Sequence, residues 1–211
     1  MKRPRLWERL IGFEREFWSR GWRVAGLDEV GRGPLAGPVV AAAVVLDPAR
    51  PIPGLDDSKR LTPRQRQEVA EAILAQAEAV GVGMVGPREI ERRNILEATR
   101  VAMRLALVDL GMVPEVVVTD AVTLGGPWRE WSLIGGDGRS ASVAAASVVA
   151  KVVRDHYMSM LDRQYPGYGF AQHKGYGTSE HLEAVARLGP SEAHRRSWGP
   201  VASVEPDDHL L

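Results

Sequence analysis

The sequence contains no cysteine. That excludes a disulfide framework, a cysteine-ligated zinc site, an iron–sulfur cluster and a thiol nucleophile. It also lacks a long hydrophobic run. The longest unbroken apolar stretch covers residues 39–46, far short of the ~18 residues that a membrane span needs. Met1-Lys2-Arg3 opens like a signal peptide, but Glu8 and Glu14 interrupt any apolar stretch. No export signal and no membrane association are expected, and the chain is expected to act in the cytoplasm. Net charge is absent too, because 27 Lys and Arg balance 27 Asp and Glu. This disfavours a protein that coats nucleic acid through bulk charge, and leaves room for a local basic groove.

What is present suits one compact domain with short appendages: 211 residues, 45% apolar and 26% charged. The charge is segregated. Residues 1–23 hold seven basic and three acidic side chains. Lys59, Arg60, Arg64 and Arg66 fall together with no acid among them, residues 24–57 are net acidic, and the tail carries Glu205, Asp207 and Asp208.

Leu6, Leu10, Phe13 and Phe17 recur at helical spacing, which predicts an amphipathic helix over 5–20 with Trp7, Trp18 and Trp22 packing it against the domain. Residues 22–30 read as a strand ending in Asp28-Glu29, followed by a turn at Gly31-Arg32-Gly33-Pro34. The valine-rich stretch 39–46 reads as a buried strand. Thr62-Pro63 predicts a helix start, with Thr as the cap and Pro in the first turn. Further strands are expected at 80–85, 115–120 and 132–134. Further helices are expected at 94–110, 142–165, 179–188 and 191–196. This alternation predicts an α/β fold. Only about eight residues join the first two strands, too few for a parallel crossover of a dozen or more. The sheet is therefore expected to be mixed.

Three predicted strand ends carry carboxylates: Asp28 with Glu29, then Asp120, then Asp137. Strand ends are where open α/β sheets bind ligands. If the strands are neighbours, the four acids meet in one pocket, where like charges raise one another's pKa. A divalent cation removes that conflict, and magnesium favours such oxygen ligands. A pair of ions about 4 Å apart can clamp both the attacking and leaving oxygens of a phosphoryl displacement. Asp28 and Glu29 are adjacent and should point to opposite faces, so one of them must rely on the bend at Gly31. Other chemistries are less well served. No Gly-x-Ser-x-Gly elbow is present, and the five histidines show no zinc-helix spacing. Residues 31–37 lack dinucleotide-binding spacing, and Pro34 and Pro38 prevent a helix from opening there.

The segment Gly26-Leu27-Asp28-Glu29-Val30-Gly31-Arg32-Gly33-Pro34-Leu35-Ala36-Gly37-Pro38-Val39 resembles the opening motif of the ribonuclease HII family. Further similar segments follow in order: Asp57-Ser58-Lys59, Val118-Thr119-Asp120, Gly135-Gly136-Asp137, the Ala-Ala-Ser helix that holds Ser147 and Lys151, and His173-Lys174-Gly175-Tyr176-Gly177. The resemblance spans residues 22–202. It sets aside a helical extension at 1–21 and an acidic tail at 203–211.

The resemblance implies a ribonuclease H-like fold, with a mixed five-stranded sheet flanked by helices. It implies hydrolysis of RNA in RNA–DNA hybrids and at single ribonucleotides in duplex DNA. The cut would fall 5′ of the ribonucleotide and leave a 3′-hydroxyl and a 5′-phosphate, in support of DNA replication and repair. The implied cofactor is Mg²⁺ or Mn²⁺, held by the catalytic residues Asp28, Glu29, Asp120 and Asp137. By the same analogy Asp28 would bridge two ions, Asp137 would serve the one activating water, and Glu29 and Asp120 the one near the leaving oxygen.

For substrate binding the resemblance points to Gly31, Arg32 and Gly33, whose backbone can approach the sugar closely. It points also to Tyr176, which would stack on the adjacent sugar, and to Lys59, Ser147 and Lys151. His173, Lys174, Arg195 and Arg196 are further basic candidates for the DNA strand. The 2′-hydroxyl is the group such a site must detect. A monomer is expected.

Competing readings are a ribonuclease HIII, a catalytically silent nucleic-acid-binding module and a Mg²⁺ phosphatase for small substrates. Gly-Arg-Gly in the turn, rather than Gly-Lys-Gly, favours the HII reading over HIII. All four carboxylates disfavour the silent module.

Overall fold

The structure is a computed structural model and describes residues 6–204. Met1-Lys2-Arg3 and the tail acids Glu205, Asp207 and Asp208 lie outside the described residues. The chain opens with two short helices, α1 (Leu6–Leu10) and α2 (Arg15–Trp18), where a single helix over 5–20 was expected. A turn around Gly12 separates them, and it swings Glu14 inward to full burial. Trp7 and Trp18 pack against the core, and Phe17 stacks on Trp22.

Strand β1 (Val24–Val30) is the centre of the sheet. Strand β2 (Val39–Val45) pairs antiparallel to it, as the short connection requires. Helix α3 (Pro63–Gln76) begins with a capping box, in which Thr62 and Gln65 satisfy each other's backbone N–H groups. Strand β3 (Ala79–Val85) adds antiparallel to β2. Helix α4 (Pro87–Arg93) follows at once. Proline in a first turn is compatible with a helix, because its missing N–H is unpaired there anyway. Helix α5 (Ile95–Asp109) leads to β4 (Val116–Asp120) and β5 (Arg129–Leu133). β4 is parallel to β1, and β5 to β4, giving the order β3-β2-β1-β4-β5. The mixed five-stranded sheet is thus present.

A short 3₁₀ turn (Gly136–Gly138) leads into α6 (Ala141–Gln164), which Ser140 caps. Three more helices follow: α7 (Phe170–His173), α8 (Ser179–Leu188) and α9 (Gly199–Ala202). Residues 191–196 are not helical as expected. His194 instead forms a β-bridge with Ala36.

Alternation along the strands explains the layers. Ala41, Ala43 and Val45 of β2 face α5, with Ala102, Met103 and Ala106. Ala42 and Val44 face α3 and α6, with Ile73, Ala145 and Val149. The alanine run at the start of α6 lets the helix approach the sheet closely. A Cβ on Gly26 of β1 would lie 2.1 Å from the Ser142 carbonyl carbon, so only glycine fits there.

Candidate active site

The functional cluster sits at the carboxyl ends of β1 and β4. Leu27 registers with Thr119 across this parallel pair. One step further along, Asp28 and Asp120 come alongside each other at the strand ends. β1 continues to Val30 against β2 alone, because the β4 pairing ends at Leu27. That leaves an open edge, and Asp28 and Glu29 both line one cavity despite being adjacent in a strand. The cavity measures about 250 Å³, and Asp120, Ser58, Lys59, Arg66, Ser147, Lys151 and Tyr176 also line it. A larger groove of about 710 Å³ lies elsewhere, between Phe13, Trp22 and Trp131, and holds none of the four acids.

Asp120 accepts hydrogen bonds from the N–H groups of Gly135 (3.0 Å) and Gly136 (3.3 Å). This fastens the Gly-Gly-Asp turn to the end of β4. Asp137 is buried at 7% exposure and accepts from Lys59 Nζ at 3.1 Å. Arg32 reaches Glu29 Oε1 at 3.2 Å, while Glu29 Oε2 is buried without a partner. Burial pushes the Asp28 carboxyl well above the ordinary range, and the negative charges of Glu29, Asp120 and Asp137 push it further. Burial also raises Glu29, against the pull of Arg32.

These observations fit a hard dication in their donor chemistry. The donors are all oxygen, one is an orphaned buried carboxylate oxygen, and the charge of the four acids is only partly offset by Lys59 and Arg32. The convergence is looser than the sequence predicts, however. Among the described residues no three His, Asp or Glu side chains stand close enough to hold a metal ion as they are. Two of the four acids are instead paired with cations, Asp137 with Lys59 and Glu29 with Arg32.

The expected substrate residues divide. Tyr176 stands at the cavity with 43% exposure, so much of its ring is free. Gly31 has φ +93°, and a Cβ there would meet Arg154 Nε at 2.3 Å, so glycine is required. Gly33 opens onto empty space, where nothing lies within 4 Å of a built Cβ. Ser147 is buried and donates to the Ala144 carbonyl (2.9 Å), and Lys151 donates to Asp155 (2.7 Å).

Two arginines play a part the sequence did not reveal. Arg195, expected on the DNA-facing surface, is fully buried. It donates to the carbonyls of Gly31, Arg32 and Gly37. Arg154, also fully buried, donates to the carbonyls of Ala36 (3.1 Å), Pro38 (2.9 Å) and Lys174 (2.9 Å). Together they brace the turn after β1. Arg66 does similar work for the next loop. It donates to the carbonyls of Ser58 and Leu61 and so presents Lys59. His173 and Lys174 are also tied to backbone carbonyls, of Tyr168 and Ala171.

Comparison with known proteins identifies the family. The sequence model of the family described as Ribonuclease HII matches residues 25–201. A ribonuclease HII of Geobacillus kaustophilus is 55% identical over 199 residues, covering 94% of this chain and 76% of the relative. The crystal structure of ribonuclease H2 from Pyrococcus horikoshii superposes with a TM-score of 0.73 at 28% identity, covering 86% of this chain and 96% of that one. The RNase HII of Archaeoglobus fulgidus, solved in complex with PCNA, gives 0.71 at 26% identity, covering 84% and 95%. The chain belongs to the ribonuclease HII family.

Proposed function

We propose that this enzyme cuts RNA within RNA–DNA hybrids and on the 5′ side of single ribonucleotides in duplex DNA. The products would be a 3′-hydroxyl and a 5′-phosphate, and the work would be ribonucleotide removal during replication and repair in the cytoplasm, by a monomer. The observation that carries this reading is the ring of cations around a buried acidic centre. Lys59, Arg66 and Lys151 line the same cavity as Asp28, Glu29 and Asp120. Acids alone suit a metal site. Acids bordered by cations and an exposed tyrosine suit a site that takes a polyanion with a sugar attached.

Asp28, Glu29, Asp120 and Asp137 would hold Mg²⁺ or Mn²⁺. Bound there, such ions lower the pKa of water and neutralise charge building on phosphate oxygens. Glu29 supplies a free carboxylate oxygen, and Asp120 is held in place by two glycine N–H groups. Lys59 would exchange Asp137 for a substrate phosphate, keeping its charge paired. Gly33 offers backbone with no side chain in the way, and Tyr176 offers a ring face to the neighbouring sugar.

The test uses Asp28→Asn and Asp120→Asn with a duplex carrying one ribonucleotide. Cleavage should fall at least ~10³-fold, a loss typical of removing a group that stabilises the transition state. Duplex binding, read by fluorescence anisotropy, should persist. Normal turnover by either variant would overturn the reading.

A further inference from the structure

Behind Tyr176 lie three histidines that the proposed chemistry does not use. His181 and His194 are essentially fully buried, at 0% and 2% exposure. His173 stacks on His181 with ring centroids 4.3 Å apart. Each ring has a backbone group at one nitrogen, which constrains where its proton sits. A backbone N–H can only donate, and a carbonyl can only accept.

The Ser191 N–H points at His194 Nδ1 (3.0 Å), so that nitrogen accepts. The proton of a neutral His194 is then on Nε2, which faces His181 Nε2 at 3.1 Å. That nitrogen must accept in turn, which leaves the His181 proton on Nδ1. Nδ1 then donates to the Tyr176 carbonyl at 2.9 Å. The Ser191 hydroxyl also stands 2.8 Å from His194 Nδ1 and can donate to it, and with the Ser191 N–H donating there the chain closes with both rings neutral. An extra proton on either ring would break a link. His173 is fixed in the same way, accepting from the Gly175 N–H at Nδ1 (3.2 Å) and donating from Nε2 to the Tyr168 carbonyl (2.7 Å).

The two ends of this chain serve the two loops of the proposed sugar-reading site. One end is the Tyr176 backbone. The other is the segment whose His194 bridges Ala36 and whose next residue, Arg195, grips the carbonyls of Gly31 and Arg32.

We propose that His181 and His194 are positioning residues, a neutral directional relay that sets Tyr176 relative to the Gly31-Arg32-Gly33 turn and so the fit of a ribonucleotide between them. This rests on the substrate reading of Tyr176 given above. Burial holds both histidines below their ordinary range, His194 at about 4.

The test is a double-mutant cycle with kinetics on a duplex carrying one ribonucleotide. His181→Leu removes the donor to Tyr176. His181→Asn keeps an N–H close to the position of Nδ1. We expect His181→Leu to raise KM about tenfold, within the coupling range of residues in contact. Its kcat should change little, and His181→Asn should restore most of the loss. In a Tyr176→Ala background, His181→Leu should add nothing.

An effect that adds fully to that of Tyr176→Ala, or no effect at all beside an impaired Tyr176→Ala, overturns the relay alone. A Tyr176→Ala variant with wild-type KM overturns the Tyr176 reading and the relay with it. Nitrogen-15 NMR of the unaltered enzyme at pH 7 gives a check that needs no variant to fold. It should show His181 protonated on Nδ1 and His194 on Nε2. The opposite tautomers, or a charged ring, would overturn the relay.

Discussion

Asp28 carries most of the electrostatic tension in the molecule. Its carboxyl is raised above the usual 3.8 by burial first, then by Glu29, and more weakly by Asp120 and Asp137. A carboxyl that holds its proton more tightly in the folded than in the unfolded state makes stability fall as pH rises. The fall begins near 3.8, the unfolded value, and continues through the raised folded value. At neutral pH ionised Asp28 is therefore a net cost in protein free of divalent ions. Asp28→Asn should raise the Tm of the chelator-treated protein at pH 8 by roughly 2–4 °C, the shift expected from ~1 kcal/mol in a chain of this size. The gain should vanish below pH 3.8. Mg²⁺ should raise the Tm of the unaltered protein more than that of the variant. Thermal scans with and without chelator measure all three. A variant less stable at pH 8 would show that Asp28 is not the strained group. His194 works in the opposite direction. With its folded value lowered to about 4, the stability it contributes is present above 6.5 and is lost as pH falls through 4.

At the scale of elements, the start of α6 joins the site to the first two helices. Glu14 Oε1 accepts from Ser140 Oγ (2.6 Å) and the Ser142 N–H (2.9 Å). Ser140 caps α6 three residues after Asp137. Glu14→Ala should cost about 1–3 kcal/mol, the penalty for stranding buried donors. Glu14→Gln, which keeps an acceptor, should cost less. Urea unfolding distinguishes them, and equal loss in both would show that the charge matters rather than the hydrogen bonds. The elements were legible wherever local chemistry decided them. Thr62-Pro63 announced α3, an unbroken valine-rich apolar run announced β2, and the short turn after β1 announced an antiparallel partner. Asp28, Glu29 and Asp120 were legible because they fall where apolar strand patterns end, and Asp137 because glycines flank it, although it stands in the 3₁₀ turn after β5 rather than at a strand end. Glu14, Arg154 and Arg195 were not, because a charged side chain reads as surface until the distant backbone groups that bury it are known. The histidine chain was hidden for the same reason, since its partners lie 5 to 13 residues apart across three segments.

Across the whole molecule, a zero net charge conceals a strong local division. The acids gather at the strand ends, and the basic residues of the 59–66 segment and of α6 border them. Those opposing groups pair with one another, Lys59 with Asp137 and Arg32 with Glu29. Binding of divalent ions and a phosphate backbone would exchange these internal pairs for external ones, leaving the overall charge balance intact. The measurement that tests this most directly is anomalous diffraction from crystals of the enzyme soaked in Mn²⁺. The account predicts manganese peaks ligated by Asp28, Glu29, Asp120 and Asp137, with Lys59 Nζ withdrawn from Asp137. Manganese bound elsewhere, with the Lys59–Asp137 pair intact in crystals that still cleave substrate, would contradict it.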